Sequence, residues 1–395
     1  MNESATLNPS TGRSAEAQTP PARRLMSLDA LRGFDMFWIV GGEELVHKLY
    51  QAWPIGPLHL LDEQMDHKPW TGVGFYDLIF PLFVFIVGVS IVLSLTRAIE
   101  QFGKPAAIKR IFIRSLIIYI FGLLVYGGLS KGIEHIRWMG VLQRIALCYF
   151  FTGLIFCAFR LKGMIAICAS LLVGYWALVS FVPVRDFNLA EDHLKDLHLS
   201  PGSPETARLF YSTTNWVRGR FDDGLNLPQH LDFQYLPGHR WDGAYDPEGI
   251  LSTLPAVATC LLGVFAGLLL RNSRIEPRRK ADYLLLAGLA GVLLGHLWGF
   301  QFPIIKKIWT SSYVLVAGGY SALLLGFFYL VVDVWKCQKW CQPFVWIGMN
   351  SITVYLANNI INFDRLGLRF AGGDNSRSST ALHRNGGLVN SFFAG

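Results

Sequence analysis

Residues 75–95 read FYDLIFPLFVFIVGVSIVLSL, an apolar run whose single charged side chain, Asp77, sits at its leading edge. About 20 such residues in an α-helix cross the hydrocarbon core of a bilayer. Within that core a helix satisfies its own backbone hydrogen bonds. Working outward, comparable runs occupy 28–45, 111–129, 139–159, 164–182, 250–270, 283–299, 309–332 and 344–361. The expected fold is all-α, a polytopic transmembrane helix bundle of about nine or more spans. Composition agrees, with 52% hydrophobic and 16% charged residues, where a soluble domain carries about 25% charged. Mean hydropathy is +0.35. Disordered, collagen-like and nucleic-acid-binding proteins are excluded. The net charge of +7 is better suited to orienting a membrane protein than to holding a polyanion.

Lys and Arg crowd alternate connections. Placing the N-terminus in the cytoplasm puts Arg97, Lys104, Lys109, Arg110, Arg160, Lys162, Arg271, Arg274, Arg278, Arg279 and Lys280 inside. Only Lys48, Lys68, Lys131, Arg137, Lys306 and Lys307 then fall in short outer segments. The positive-inside rule favours that orientation. Residues 1–24 are rich in Ser, Thr, Ala and Pro and lack an apolar signal core, so a disordered cytoplasmic tail and an uncleaved first anchor are expected. Residues 25–362 form the membrane domain, with outer loops at 47–74 and 184–245, and 363–395 form a polar C-terminal tail. The six cysteines do not make a disulfide framework, and the first four, Cys148, Cys157, Cys168 and Cys260, lie inside apolar runs and read as small packing residues. Cys337 and Cys341 have no histidine close enough in sequence for a zinc site, and no metal is expected.

Several polar groups stand where a membrane protein rarely places them. His67 precedes the second span beside Asp66 and Lys68, and histidine is the side chain best able to exchange a proton near neutral pH. Asp77 could orient it if the chain folds back. Asp29 and Arg32 share one face of the first helix at i, i+3. Gln143 and Arg144 enter the fourth span, and an intramembrane arginine is a functional candidate by default. Arg110 and Arg114 share a face at the cytoplasmic end of the third span, where they set topology or hold phosphates. Asp246-Pro-Glu248 reads as a helix cap. His296 reads as a core histidine, and Asn350 and Ser351 as polar glue between helices. The chain has no P-loop, no G-x-G-x-x-G, no H-E-x-x-H and no G-x-S-x-G, so nucleotide hydrolysis, hydride transfer and zinc proteolysis have no support.

Taken together, SLDALRGFDMFWIV (27–40), HKPWTGVGFYDLIFPLFVFIVGVSI (67–91), IRWMGVLQRIALCYF (136–150), YDPEGILSTLPAVATCLLGVFAG (245–267), IKKIWTSSYVL (305–315) and FVWIGMNSITVYLA (344–357) resemble the heparan-α-glucosaminide N-acetyltransferase family of membrane acyltransferases. The resemblance implies a bacterial inner-membrane, multi-pass enzyme that carries acetyl from cytoplasmic acetyl-CoA to an amino-sugar or other glycan acceptor on the outer face. It makes His67 the catalytic base or acetyl carrier; the position of Asp77 in the sequence makes it the expected partner. Asp29, Arg32, Gln143 and Arg144 are the expected acceptor surround, and Arg110 and Arg114 the CoA contacts. The lipid bilayer and a small-molecule or glycan acceptor are the expected partners, nucleic acid is not, and a homodimer is compatible with such a bundle. Animal members place an asparagine ahead of the histidine. Here 41–66 contains none, which bears on the acceptor. Members carry further helices after the GMNS motif, where this chain has its polar tail. Two other readings share the polytopic pattern: a secondary transporter for a sugar or amino-sugar, and a catalytically inactive membrane component.

Overall fold

The computed structural model describes residues 25–128 and 132–360. The two tails expected at 1–24 and 363–395, and Lys131, lie outside the described residues. Nearly all regular structure is helical. Met26–Phe37 (α1) passes through a wide π-turn at Trp38–Gly42 into Glu43–Ala52 (α2), and Gly56–Met65 (α3) folds back beside it. A single 3-10 turn at Tyr76–Leu78 then leads into Ile79–Val125 (α4). Val141–Ala158 (α5) and Leu161–Phe181 (α6) follow. After an intervening cap come Thr253–Arg271 (α10), Pro277–Gly299 (α11) and Ser311–Phe328 (α12), and then Gln342–Met349 (α13) and Ser351–Ile360 (α14).

Among the described residues, six helical stretches are long and apolar enough to cross a membrane, and the chain is a multi-pass membrane protein. The first of the six, Tyr76–Val125, contains two passes. Gly103 sits at φ +79°, two residues ahead of Pro105, a combination that breaks an α-helix. A straight helix of this length would hold its ends roughly 70 Å apart. Instead Tyr76 and Tyr126 line one cavity, so the two arms run antiparallel. These arms are the expected second and third spans. The expected first and ninth spans are interrupted. One turns wide at Trp38–Gly42, and the other breaks at Asn350 between α13 and α14.

Small residues let the backbones touch, as they do where lipid supplies no hydrophobic driving force between helices. A Cβ on Gly88 would lie 1.9 Å from the carbonyl oxygen of Cys260, and one on Gly263 would lie 1.9 Å from that of Phe85. These two glycines let α4 and α10 cross with their backbones in contact. Gly33 and Gly348 do the same for α1 and α13, where a Cβ would meet Phe344 O at 1.7 Å and Asp29 O at 1.9 Å. Gly348, two positions before Asn350, brings α13 against the α1 backbone. Gly88→Val is expected to lose most folded protein, read as the monodisperse fraction in detergent chromatography. Wild-type recovery would contradict this account of the crossing.

Residues 182–252 form a folded cap. Val184–Arg185 (β1) pairs antiparallel with Trp216–Val217 (β2). Glu191–Asp196 (α7), Pro204–Ser212 (α8, capped by Ser203) and Leu227–Tyr235 (α9, capped by Asn226) close around Leu189, Leu194, Phe210, Phe233 and Tyr245. The long polar stretch thus has a small core of its own. It is tied to the bundle by Trp70 Nε1, which donates to Phe221 O at 2.8 Å, and by the Arg137–Gly238 bridge.

Candidate active site

Four chain segments converge at one end of the bundle: the turn before α4, residues 132–140, the cap, and the 300–310 loop. A two-residue pairing fixes the first to the last. Thr71 bridges Ile305, and Gly72 N donates to Ile304 O at 2.9 Å. That places Lys306 against His67 across 239 positions of sequence.

Asp77 anchors the arrangement. Its side chain is buried at 1% exposure, and Oδ2 accepts from Gly74 N at 2.9 Å and Lys68 N at 3.3 Å. Oδ1 meets His67 Nδ1 at 2.9 Å, and Tyr313 Oη donates to the Asp77 carbonyl at 2.6 Å. A carboxylate on Nδ1 fixes the imidazole tautomer and leaves Nε2 as the working nitrogen. Lys306 Nζ lies 3.2 Å from Asp77 Oδ1, 2.9 Å from His67 Nδ1 and 3.2 Å from Nε2. The Tyr76 ring stands 4.9 Å from the imidazole. Burial lowers the His67 pKa below its ordinary value, and the Lys306 ammonium adds to that fall against the opposing pull of Asp77. The imidazole is consequently neutral at pH 7, the form a base or nucleophile requires.

His67 opens onto a cavity of about 240 Å³. Its mouth carries Lys306, Lys307, Arg137, Trp241 and Glu248, while Met36, Phe83, Ile145 and Ile352 line its depth. Arg137 organises the mouth. It grips Asp246 through Nε and Nη2, both at 2.8 Å, reaches Glu248 at 2.7 Å, and lies between the Tyr126 and Trp241 rings, 4.6 Å from each centroid. Burial opposes that cation, but the two carboxylates hold its pKa above the ordinary value. Asp246-Pro-Glu248 therefore serves as an arginine clamp and not as the expected cap, and α10 starts later, at Thr253.

A second cavity, of about 470 Å³, lies against the other arm of the α4 hairpin, lined by Lys109, Arg110, Arg114 and apolar side chains. Ile352 belongs to both linings. The interruption at Asn350 brings α14 between the two cavities.

The sequence-derived candidates separate into three places. His67 and Asp77 meet, and Arg110 and Arg114 line the second cavity. Gln143 and Arg144 are fully buried behind the first cavity's wall, outside its lining. Arg144 donates to Pro247 O at 3.0 Å and to Ser252 Oγ, and it lies 4.8 Å from the Trp309 ring. Gln143 donates to Arg137 O at 3.1 Å. Asp29 and Arg32 pair at 3.4 Å, and Arg32 also reaches Ser90 Oγ at 2.7 Å. Ser90 lies about 20 Å of helix beyond Asp77, so this pair joins α1 to α4 and α13. Sequence reasoning missed Lys306 as a neighbour of His67, and Arg137 and Glu248 as one cluster. The two cations beside Trp309 were the available signal, but charge counting assigns them to topology.

Residues 24–195 match the family described as heparan-alpha-glucosaminide N-acetyltransferase, catalytic. The mouse heparan-alpha-glucosaminide N-acetyltransferase is 28% identical over 401 residues, covering 91% of this chain and 56% of the mouse protein. The human one is 29% identical over 386 residues, covering 86% and 53%. The chain spans about half the length of these curated relatives. Similarity to this family thus extends over most of the chain, as its motifs imply.

Proposed function

We propose that this chain is a membrane acetyltransferase. It takes acetyl from acetyl-CoA on the cytoplasmic face and delivers it to an amino-sugar or related glycan acceptor on the outer face. The carrying observation is the pair of cavities that share Ile352, one ending at the His67–Asp77 pair and the other at Arg110 and Arg114. The cationic end suits the nucleotide phosphates of CoA. The apolar side chains of both linings suit the pantetheine arm. The clustering of Lys and Arg in alternate connections supports an orientation with Arg110 inside and His67 outside. Similarity to proteins named as N-acetyltransferases supports acetyl-CoA as donor and an amino-sugar nitrogen as acceptor.

In this reading the acetyl thioester stops beside His67. Nε2 takes the proton of the acceptor nitrogen as it attacks, or attacks first and carries the acetyl group. Asp77 holds the ring and stabilises the imidazolium. Residues 25–362 make up the catalytic membrane domain. Asp29, Arg32, Gln143 and Arg144 act as positioning groups for the helices around the acceptor. A homodimer is the proposed assembly.

Two measurements test this. Purified protein in detergent should sustain CoA release beyond one equivalent only when an amino-sugar is added. No release across an amino-sugar panel, with no acetyl-CoA binding by folded protein, would overturn the reading. The double variant Arg110→Glu, Arg114→Glu should raise the acetyl-CoA KM at least tenfold, with kcat changed less than threefold. An unchanged KM would remove those arginines from the donor site.

A further inference from the structure

The geometry points to Lys306 as a catalytic cation that leaves His67 to hold the thioester oxygen as negative charge develops on it. The inference rests on the acetyltransferase reading. Three observations carry it. Lys306 Nζ is within hydrogen-bond reach of both imidazole nitrogens and of Asp77 Oδ1. Lys306 also lines the cavity that would receive the thioester. Finally, the Thr71–Ile305 bridge fixes its loop to the His67 turn, so the ammonium is held near the reacting centre before substrate arrives.

An ammonium donating to Nε2 occupies the lone pair that a base needs, so the observed arrangement is a resting one. The lysine stem can swing between Nε2 and the cavity while its backbone stays fixed. When the acceptor nitrogen attacks, the C–N bond forms and the carbonyl π pair moves onto oxygen, where Lys306 meets it. The pair then returns, the C–S bond breaks, and CoA leaves as thiolate. His67 Nε2, which took the acceptor's proton, hands it to that sulfur to give the free thiol. A positioned cation at a developing oxyanion acts in a dry site where charge stabilisation is strong.

The same cation sets the charge of His67. The groups facing the ring are Asp77 and Tyr76 from the start of α4, Lys306 and Lys307 from the 300–310 loop, and its neighbour Lys68. Removing Lys306 leaves Asp77 as the dominant partner and raises the pH at which the ring loses its proton.

Lys306→Met and Lys306→Arg separate these roles. The pH dependence of His67 modification by diethylpyrocarbonate, read by peptide mass spectrometry, needs no turnover. Its midpoint should rise in Lys306→Met and stay near wild type in Lys306→Arg. In acetyl transfer, Lys306→Met should lose about 10²- to 10³-fold in kcat with donor KM within threefold, and Lys306→Arg should recover part of it. A kcat within threefold of wild type in Lys306→Met, or an unmoved modification midpoint, overturns the inference. A protein whose midpoint shifts but which no acceptor turns over contradicts the acetyltransferase reading and leaves the contact with His67 established.

Discussion

His67→Ala should abolish acetyl transfer, lowering kcat by about 10²- to 10⁴-fold while the protein inserts and elutes as wild type. The side chain is over a third exposed at the mouth of its cavity, so truncation opens space without disturbing the core. Its contacts are to Asp77, Lys306 and the Tyr76 face, none of which holds helices together. The loss should therefore appear in kcat, with acetyl-CoA binding retained. Because His67 is kept neutral by burial and by Lys306, the wild-type acid limb should fall below the ordinary histidine value of about 6.5. Protonation on that limb removes the base, so activity drops as pH falls through it. Full activity in His67→Ala would remove the central residue of the account.

The second large effect is structural. Arg137→Met should destabilise the folded protein by about 3–5 kcal/mol, because it leaves Asp246 and Glu248 buried without their cation. Arg137 is only 4% exposed, and its guanidinium is the shared partner of both carboxylates and two aromatic rings. Arg137→Lys should recover little, since an ammonium cannot reproduce the two-pronged contact with Asp246. Thermal unfolding followed by tryptophan fluorescence in detergent checks this. A midpoint within about 1 °C of wild type for Arg137→Met would show that the clamp contributes nothing to stability.

Apolar periodicity and length located the spans, because burying a backbone in lipid leaves few alternatives to helix. They could not show that the second and third spans form one hairpin, since the break depends on the backbone of Gly103. Nor could they show that the first and last spans are interrupted at Trp38–Gly42 and Asn350. The His67–Asp77 pair was legible because its members lie ten positions apart on one turn. Lys306 was not, because a two-residue bridge between distant loops brings it in. Arg144 is a different case. A charge inside a span suggests a ligand contact; Nη2 of Arg144 goes to the backbone of 247–249 and to Ser252, beside the loop that carries Glu248, while its Nε and Nη1 find no hydrogen-bond partner among the described residues.

Reconstituted vesicles give the most direct test of transfer through the bundle. With acetyl-labelled CoA supplied only at the cytoplasmic face and an amino-sugar only at the outer face, labelled N-acetyl sugar should accumulate in the acceptor compartment. It should do so without CoA crossing the membrane, and only with His67 present. Acetylation only when donor and acceptor share a compartment, or label crossing as intact acetyl-CoA, would contradict the account.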